Sequence, residues 1–259
     1  MFKHLTQSKT LNKTFYISHQ NQKIAIYLKK SSKRKKTITL KIDKSQNITL
    51  LAPISVSDQS IQKFISCKKP WLLKKIEEQT SLPPIPTYHL KNGEKYHFLG
   101  KEVYLQLIYQ ANPKKTHIKL QYPYLEITTH KMPTSPQNKK YLKKQLFNFY
   151  KEQAQKIITP RINHYAQKME LKNFQLSIKK QKTRWGSCNN HGHITINWRS
   201  IMTPLEILDY IIVHELAHLK EMNHSSKFWH WVSTILPDYQ QHRKKLRTTE
   251  NKYIDFCYE

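Results

Sequence analysis

The chain's 259 residues can form one large domain or two modest ones with a buried core, and two units are the expectation. With 38% hydrophobic and 11% aromatic residues it is too rich in large side chains for a disordered polymer, and no run approaches the roughly 18 to 20 apolar residues of a membrane span. Its net charge of +28, from 45 Lys and Arg against 17 Asp and Glu, repels basic surfaces and attracts phosphates, so nucleic acid is one expected partner and a merely solvated basic surface is the alternative.

The opening residues show no apolar core of a secretory signal, which points to a cytoplasmic protein. A basic organelle-targeting start is the other option, but such segments favour Arg and the first Arg is Arg34. Arg recurs only at 161, 184, 199, 243 and 247, so the basic excess is almost entirely Lys. That bias weakens the case for base-reading contacts, which favour Arg, and is equally the mark of a host's coding composition. Cys67, Cys188 and Cys257 are far apart and odd in number, which excludes a disulfide framework or a Cys-based zinc ribbon; each is expected as a small buried residue.

In chain order, "TITLKIDKSQNITLL" (37 to 51) alternates around a polar turn and predicts a hairpin. A helix capped by Ser57 or Asp58 follows, with Ile61, Phe64, Ile65 and Cys67 near helical spacing and an interruption at Pro70 before Trp71. "SLPPIPTY" (81 to 88) is a stiff connector, and "KYHFLGKEVYLQLIY" and "THIKLQYPYLEITTH" predict two more hairpins. The breaker "MPTSPQN" (132 to 138) precedes an amphipathic helix presenting Leu142, Leu146, Phe149, Ala154 and Ile157, which Pro160 ends or kinks before "RINHYAQKM" continues it. The domain boundary is placed at that breaker, giving a β-rich region with a helical insert over 14–131 and a second domain over 138–247. No internal repeat is visible.

"FQLSIKKQKTRWGSCNNHGHITINW" predicts two strands around a turn at "NNHG". In "RSIMTPLEILDYIIVHELAHLKEMNH", Thr203 is the expected N-cap, Pro204 the first helical residue and Glu206 the partner in a capping box, for a helix running to about Lys220. His214 and His218 leave one face of it a turn apart, which lets two nitrogens reach one ion. A catalytic zinc site usually has three protein ligands. His224 is the expected third if the chain turns back near Met222 and Asn223, with Asn tolerating the left-handed conformation; His230 and His242 are rivals. Glu215, beside the first ligand, is the expected general base rather than a ligand.

The blocks "TRWGSC", "ITINWR", "LDYIIVHELAHL", "MNHSSKFW" and "LPDYQQHRKKLR" resemble, in this order, the YgjP-like and SprT-like zinc metallopeptidases, from about Gln145 to Arg247 and more weakly back through "SSKRKKTITLKI". The resemblance implies an α+β fold in which a β-rich N-terminal region precedes a zincin-like metallopeptidase domain with its HExxH helix. It implies a zinc-dependent endopeptidase with one Zn2+ per chain on His214, His218 and His224, Glu215 as base, and a protein or peptide substrate. It also implies that the strand at about His193 to Trp198 borders the cleft and could accept a peptide as an added strand. SprT-like relatives often carry a Cys-rich ribbon that this chain lacks, which favours the YgjP-like branch.

Where Lys is so dominant, Arg184 and Arg199 stand out. Arg184 is expected to make a buried ion pair or bond the "WGSC" carbonyls, or else to face substrate. Cys188 is placed near the cleft. Trp185, Phe228, Trp229 and Trp231 are expected in the core rather than as a substrate platform. Tyr239 and His230 are candidates for stabilising developing negative charge.

Overall fold

The structure, a computed structural model, describes residues 12–19, 22–43, 46–81, 86–111, 115–181 and 183–253. The chain divides into two compact units, Met1–Leu82 and Pro83–Glu259.

In the first unit, strands β1 (Asn12–His19), β2 (Gln22–Ser31), β3 (Thr39–Ile42) and β4 (Ile48–Pro53) form a sheet of order β1-β2-β4-β3, in which β2 and β4 run parallel. The β3–β4 hairpin matches the sequence expectation. The β1–β2 hairpin was not foreseen, although "TFYIS" and "KIAIYL" alternate in the same way. Inward residues Phe15, Ile17, Ile26, Leu28, Ile48 and Leu50 pack on Ile61, Ile65 and Leu72 of α1 (Asp58–Thr80). Ser57 caps α1, its Oγ accepting from the Ser60 N–H. Pro70 does not interrupt the helix. Pro70 and Ser66, whose carbonyl loses its helical partner, are both exposed, so the lost bond falls on the solvent side while Ile65 and Leu72 hold the buried side. Cys67 is exposed, contrary to expectation, and Cys257 lies outside the described residues.

The second unit opens with β5 (Lys95–Phe98), β6 (Lys101–Tyr109), β7 (His117–Gln121) and β8 (Tyr124–Thr129), in the order β5-β6-β8-β7 with β6 parallel to β8. Helix α2 (Pro136–Lys168) follows. Two hairpins joined through parallel inner strands, then a helix, thus occur twice in the chain, a repeat of topology that the sequence does not display. The breaker at 132–138 is no boundary: Leu125 and Ile127 of β8 share one core with Leu142 and Leu146 of α2. The expected division into 14–131 and 138–247 gives way to a break at 82/83, inside the proline-rich connector.

Helix α2 runs unbroken through Pro160, which is exposed. It buries Leu142, Leu146, Tyr150, Ala154, Ile158, Ile162 and Ala166, a residue every fourth position, while the expected Phe149 and Ile157 flank that stripe. A four-residue step advances slightly more than one turn, so the stripe winds slowly around the helix. Beyond α2 lie β9 (Gln175–Lys179), β10 (Gly186–Cys188) and β11 (His193–Asn197), three strands where two were expected. A short 3₁₀ turn (Trp198–Met202) leads into α3 (Leu205–Ala217), followed by α4 (Ser226–Ile235) and α5 (Tyr239–Thr249). The mixed α+β class expected from sequence is the one observed. Among the described residues, no helix is long and apolar enough to cross a membrane.

Candidate metal centre

Helix α3 is apolar on nearly every side: Ile207, Leu208, Ile211, Ile212, Val213, Leu216 and Ala217 are all buried, as a central helix requires. Its start differs from expectation. Pro204 is the N-cap, its carbonyl accepting from Ile207 and Leu208, while the Thr203 hydroxyl donates back to the Ser200 carbonyl and Glu206 pairs with Lys245. No capping box forms. The start is held instead by the β5–β6 turn, where the Leu99 and Gly100 N–H groups donate to the Ile201 and Met202 carbonyls at 2.7 and 3.1 Å. In its second turn, Asp209 accepts two parallel hydrogen bonds from Arg161 of α2.

The helix ends at Ala217, earlier than expected, and His218 is its C-cap. Tight bonds from Leu219 to Leu216 and from Lys220 and Glu221 to Ala217 close the last turn, and the chain then runs out to Ser225, which caps α4. Asn223 does not take the expected left-handed conformation; among the described residues positive φ occurs elsewhere. The reversal is a tightened helix end followed by bends at Met222 and Asn223, where the turn was expected, with no positive φ among them.

This path brings the three imidazoles together. One ligand atom from each of His214, His218 and His224 lies within 4.8 Å of the others, and ring centroids are 4.8 to 5.1 Å apart. His230 and His242 are not in the cluster; His230 is exposed on α4, with its carbonyl bonded by Ser233 and Thr234.

The cluster fits a divalent cation. His214 Nε2 and His224 Nε2 face each other at 3.1 Å, close to the roughly 3.3 Å edge of a tetrahedron with nitrogen at about 2.05 Å. Burial, with the neighbouring His218, His224 and Arg243, pushes the His214 imidazole down to about 3, and burial also lowers that of His218. Both rings are therefore neutral near pH 7 and offer lone pairs. Donation from His218 Nδ1 to the Glu221 carbonyl at 3.3 Å would leave its Nε2 free as a donor atom.

Phe228, fully buried, touches all three rings, with centroids 4.9, 4.6 and 4.7 Å from those of His214, His218 and His224. Trp229 stacks on His224 and on Tyr239, and the Arg243 guanidinium lies 4.6 Å from its ring. The Tyr239 ring is thus committed to packing on Trp229. Trp185 and Trp231 are half-buried, each under a cation, Arg199 at 4.4 Å and Lys220 at 5.0 Å. Phe228 was foreseen as core, but its contact with the ligand cluster was not.

Glu215 is 6% exposed, and burial raises its carboxyl to about 8 against the lowering effect of Arg184. Arg184 is exposed, so the buried ion-pair reading fails for it; a partly buried ion pair is made instead by Arg161 with Asp209. Buried Asn197 fixes the Arg184 segment by donating through Nδ2 to the Gln181 and Arg184 carbonyls, both at 2.8 Å. Cys188 is half-buried, and burial with the nearby Glu215 pushes its thiol up to about 11.

The open strand edge is not where sequence placed it. β11 is the middle strand, parallel to β9 and antiparallel to β10, so both its edges are filled. β10 is an edge strand. Asn197 N–H donates to Trp185 O and Asn189 N–H to His193 O, so by alternation Gly186 and Cys188 turn their N–H and C=O groups away from β11. Gly186 sits directly against Glu215.

Residues 36–249 match the family described as YgjP-like, metallopeptidase domain. No curated protein sequence matches significantly. Among solved structures, the metallopeptidase zymogen abylysin of Pyrococcus abyssi is 24% identical over 36% of this chain and 93% of its own, with TM-score 0.34. Jannalysin of Methanocaldococcus jannaschii, also a metallopeptidase zymogen, is 23% identical over 34% and 92%, with TM-score 0.32.

Proposed function

The chain belongs to the YgjP-like metallopeptidase family, and we propose that it is a zinc-dependent endopeptidase in which His214, His218 and His224 hold the metal and Glu215 is the general base. The observation that carries this reading is the convergence of three imidazoles, two of them held neutral by burial, next to a buried carboxylate. Zinc held there would supply a Lewis acid for the scissile carbonyl and lower the pKa of a water from 15.7 to about 7.

Glu215 takes a proton from the attacking water and returns it to the leaving amine; its poor solvation makes it the stronger base. An extended peptide adds to β10 through the outward groups of Gly186 and Cys188, a mode of binding that reads main chain and tolerates varied sequence. Arg184, exposed beside Glu215, is a contact for substrate carbonyls or carboxylates.

Metal analysis of the purified chain beside its three His→Ala variants tests the ligands. One zinc per chain, lost in each variant, is expected. A Glu215→Gln chain that keeps zinc should hydrolyse a peptide substrate at least 100-fold more slowly; undiminished hydrolysis would end the assignment of the base.

A further inference from the structure

The first unit presents a face that the peptidase reading leaves unused. Alternation along β1 to β4 sends Phe15, Ile17, Ile26, Leu28, Ile48 and Leu50 toward α1 and the intervening residues to the opposite face. That opposite face carries Tyr16, 64% exposed, and Tyr27, 48% exposed. Register sets them as diagonal neighbours, since Tyr16 lies opposite Ala25 and Tyr27 opposite Thr14. Tyr27 continues across the sheet through Thr49 to Lys41, and Lys23 and Lys29 flank it on its own strand.

Residues 1–82 hold seventeen Lys and Arg against only Asp43, Asp58, Glu77 and Glu78. None of those acids is on the open face. Asp43 is bonded by Asn47 in the β3–β4 turn, Asp58 pairs with Lys13 and Lys30 at the start of α1, and both glutamates are on α1. The topologically equivalent sheet of the second unit offers a contrast: its outward Tyr104 and Tyr124 are accompanied by Glu102 and Glu126. Tyr16 and Tyr27 also precede the region that matches the peptidase family, 36–249.

We propose that the open face of the β1–β4 sheet binds single-stranded nucleic acid, with bases stacking on Tyr16 and Tyr27 and Lys23, Lys29 and Lys41 contacting phosphates. Exposed aromatic rings on a sheet, ringed by cations without acids, match the chemistry of an unpaired strand: every base has a face to stack, and every linkage a charge. Lysine dominates this face, and the one nearby Arg, Arg34, is engaged through Nη1 by Thr37 and Thr39 at 3.1 to 3.3 Å, which supports phosphate contact rather than base reading and recognition independent of sequence. An acidic peptide would answer the charge but leave the rings without flat partners.

The full chain is titrated with a fluorescein-labelled 15-nucleotide deoxythymidine oligomer, followed by anisotropy at low and rising salt. Binding is expected, weaker for a duplex of equal length, and weakened at least fivefold by Tyr16→Ala and by Tyr27→Ala. Tyr16→Phe and Tyr27→Phe, which keep the ring, should retain it. Lys29→Gln with Lys41→Gln should flatten the salt dependence, and Tyr104→Ala with Tyr124→Ala should change nothing. Undetectable affinity at low salt overturns the proposal, as does binding indifferent to both Tyr→Ala changes. So does binding abolished by substituting Lys139, Lys140, Lys143 and Lys144, which line a groove of about 750 Å3 on α2, or affinity confined to anionic lipid vesicles. Glu215→Gln is expected to bind the oligomer normally, so this result and that of the peptidase reading are separable.

Discussion

A Cβ added to Gly186 of β10 would stand 2.6 Å from both Cγ and Oε1 of Glu215 on α3. Glycine is therefore what lets the edge strand pass over Glu215, and the missing side chain is the space the carboxylate occupies. Gly186→Ala should displace the carboxylate while leaving the three imidazoles in place. About 100-fold slower peptide hydrolysis at unchanged zinc content is expected, measured by steady-state kinetics and metal analysis on one preparation. Activity within twofold of the parent would show that Glu215 does not work from this position.

Phe228 supports the cluster from below, so its removal should act on metal retention as well as on stability. Phe228→Ala leaves a cavity against three rings and should lower stability by about 3 to 5 kcal/mol. Thermal unfolding and the rate of zinc transfer to a chelator check this together. Phe228→Leu, which fills most of the volume, should fall between.

Arg161 and Asp209 tie α2 to α3 with a two-pronged contact, the Arg side chain 29% and the Asp 11% exposed. Cutting a buried pair on one side leaves an uncompensated charge; with this partial exposure, Arg161→Met should cost about 2 to 3 kcal/mol in denaturant unfolding. Arg161→Lys should recover only part, because an ammonium cannot supply both parallel bonds. Zinc content should be unchanged in both, since neither residue touches the imidazoles.

Glu215 gives the metal-free chain a signature in pH. Its folded-state pKa is raised to about 8 from an ordinary 4.5, so the folded state holds a proton the unfolded state has lost, and stability falls as pH rises between those values. His214, lowered to about 3, acts oppositely: the unfolded state takes up a proton first, so stability is lost as pH falls from 6.5 toward 3. With chelator present, Glu215→Gln should match the parent at pH 4 and exceed it at pH 8 by a few kcal/mol. Added zinc should narrow that gap, as a nearby cation favours the carboxylate. Parallel unfolding curves across this range would contradict the burial of Glu215.

Much of the site was legible in local pattern. His214 and His218 share a helical face by spacing alone, Glu215 follows from its place between them, and His224 needs only the reversal expected near Met222 and Asn223, where the chain does bend, although Asn223 is not left-handed. The hairpins at β3–β4, β5–β6 and β7–β8 were announced by alternation around polar turns. Pro70 and Pro160 misled because a proline on a helix's wet side costs one bond that water replaces, which sequence cannot distinguish from a break.

The sequence by itself determined most of the elements and the spacing that groups the three imidazoles and Glu215, because each depends on residues close to one another in the chain. Tertiary structure alone decided that β11 is the middle strand and β10 an edge strand, that Gly186 lies on Glu215, that Arg161 rather than Arg184 makes the partly buried pair, and that the division falls at 82/83. Those outcomes are set by which strands pair in parallel and which faces share a core. Such contacts join residues distant in the chain, and their energy leaves no periodic trace in the order of amino acids.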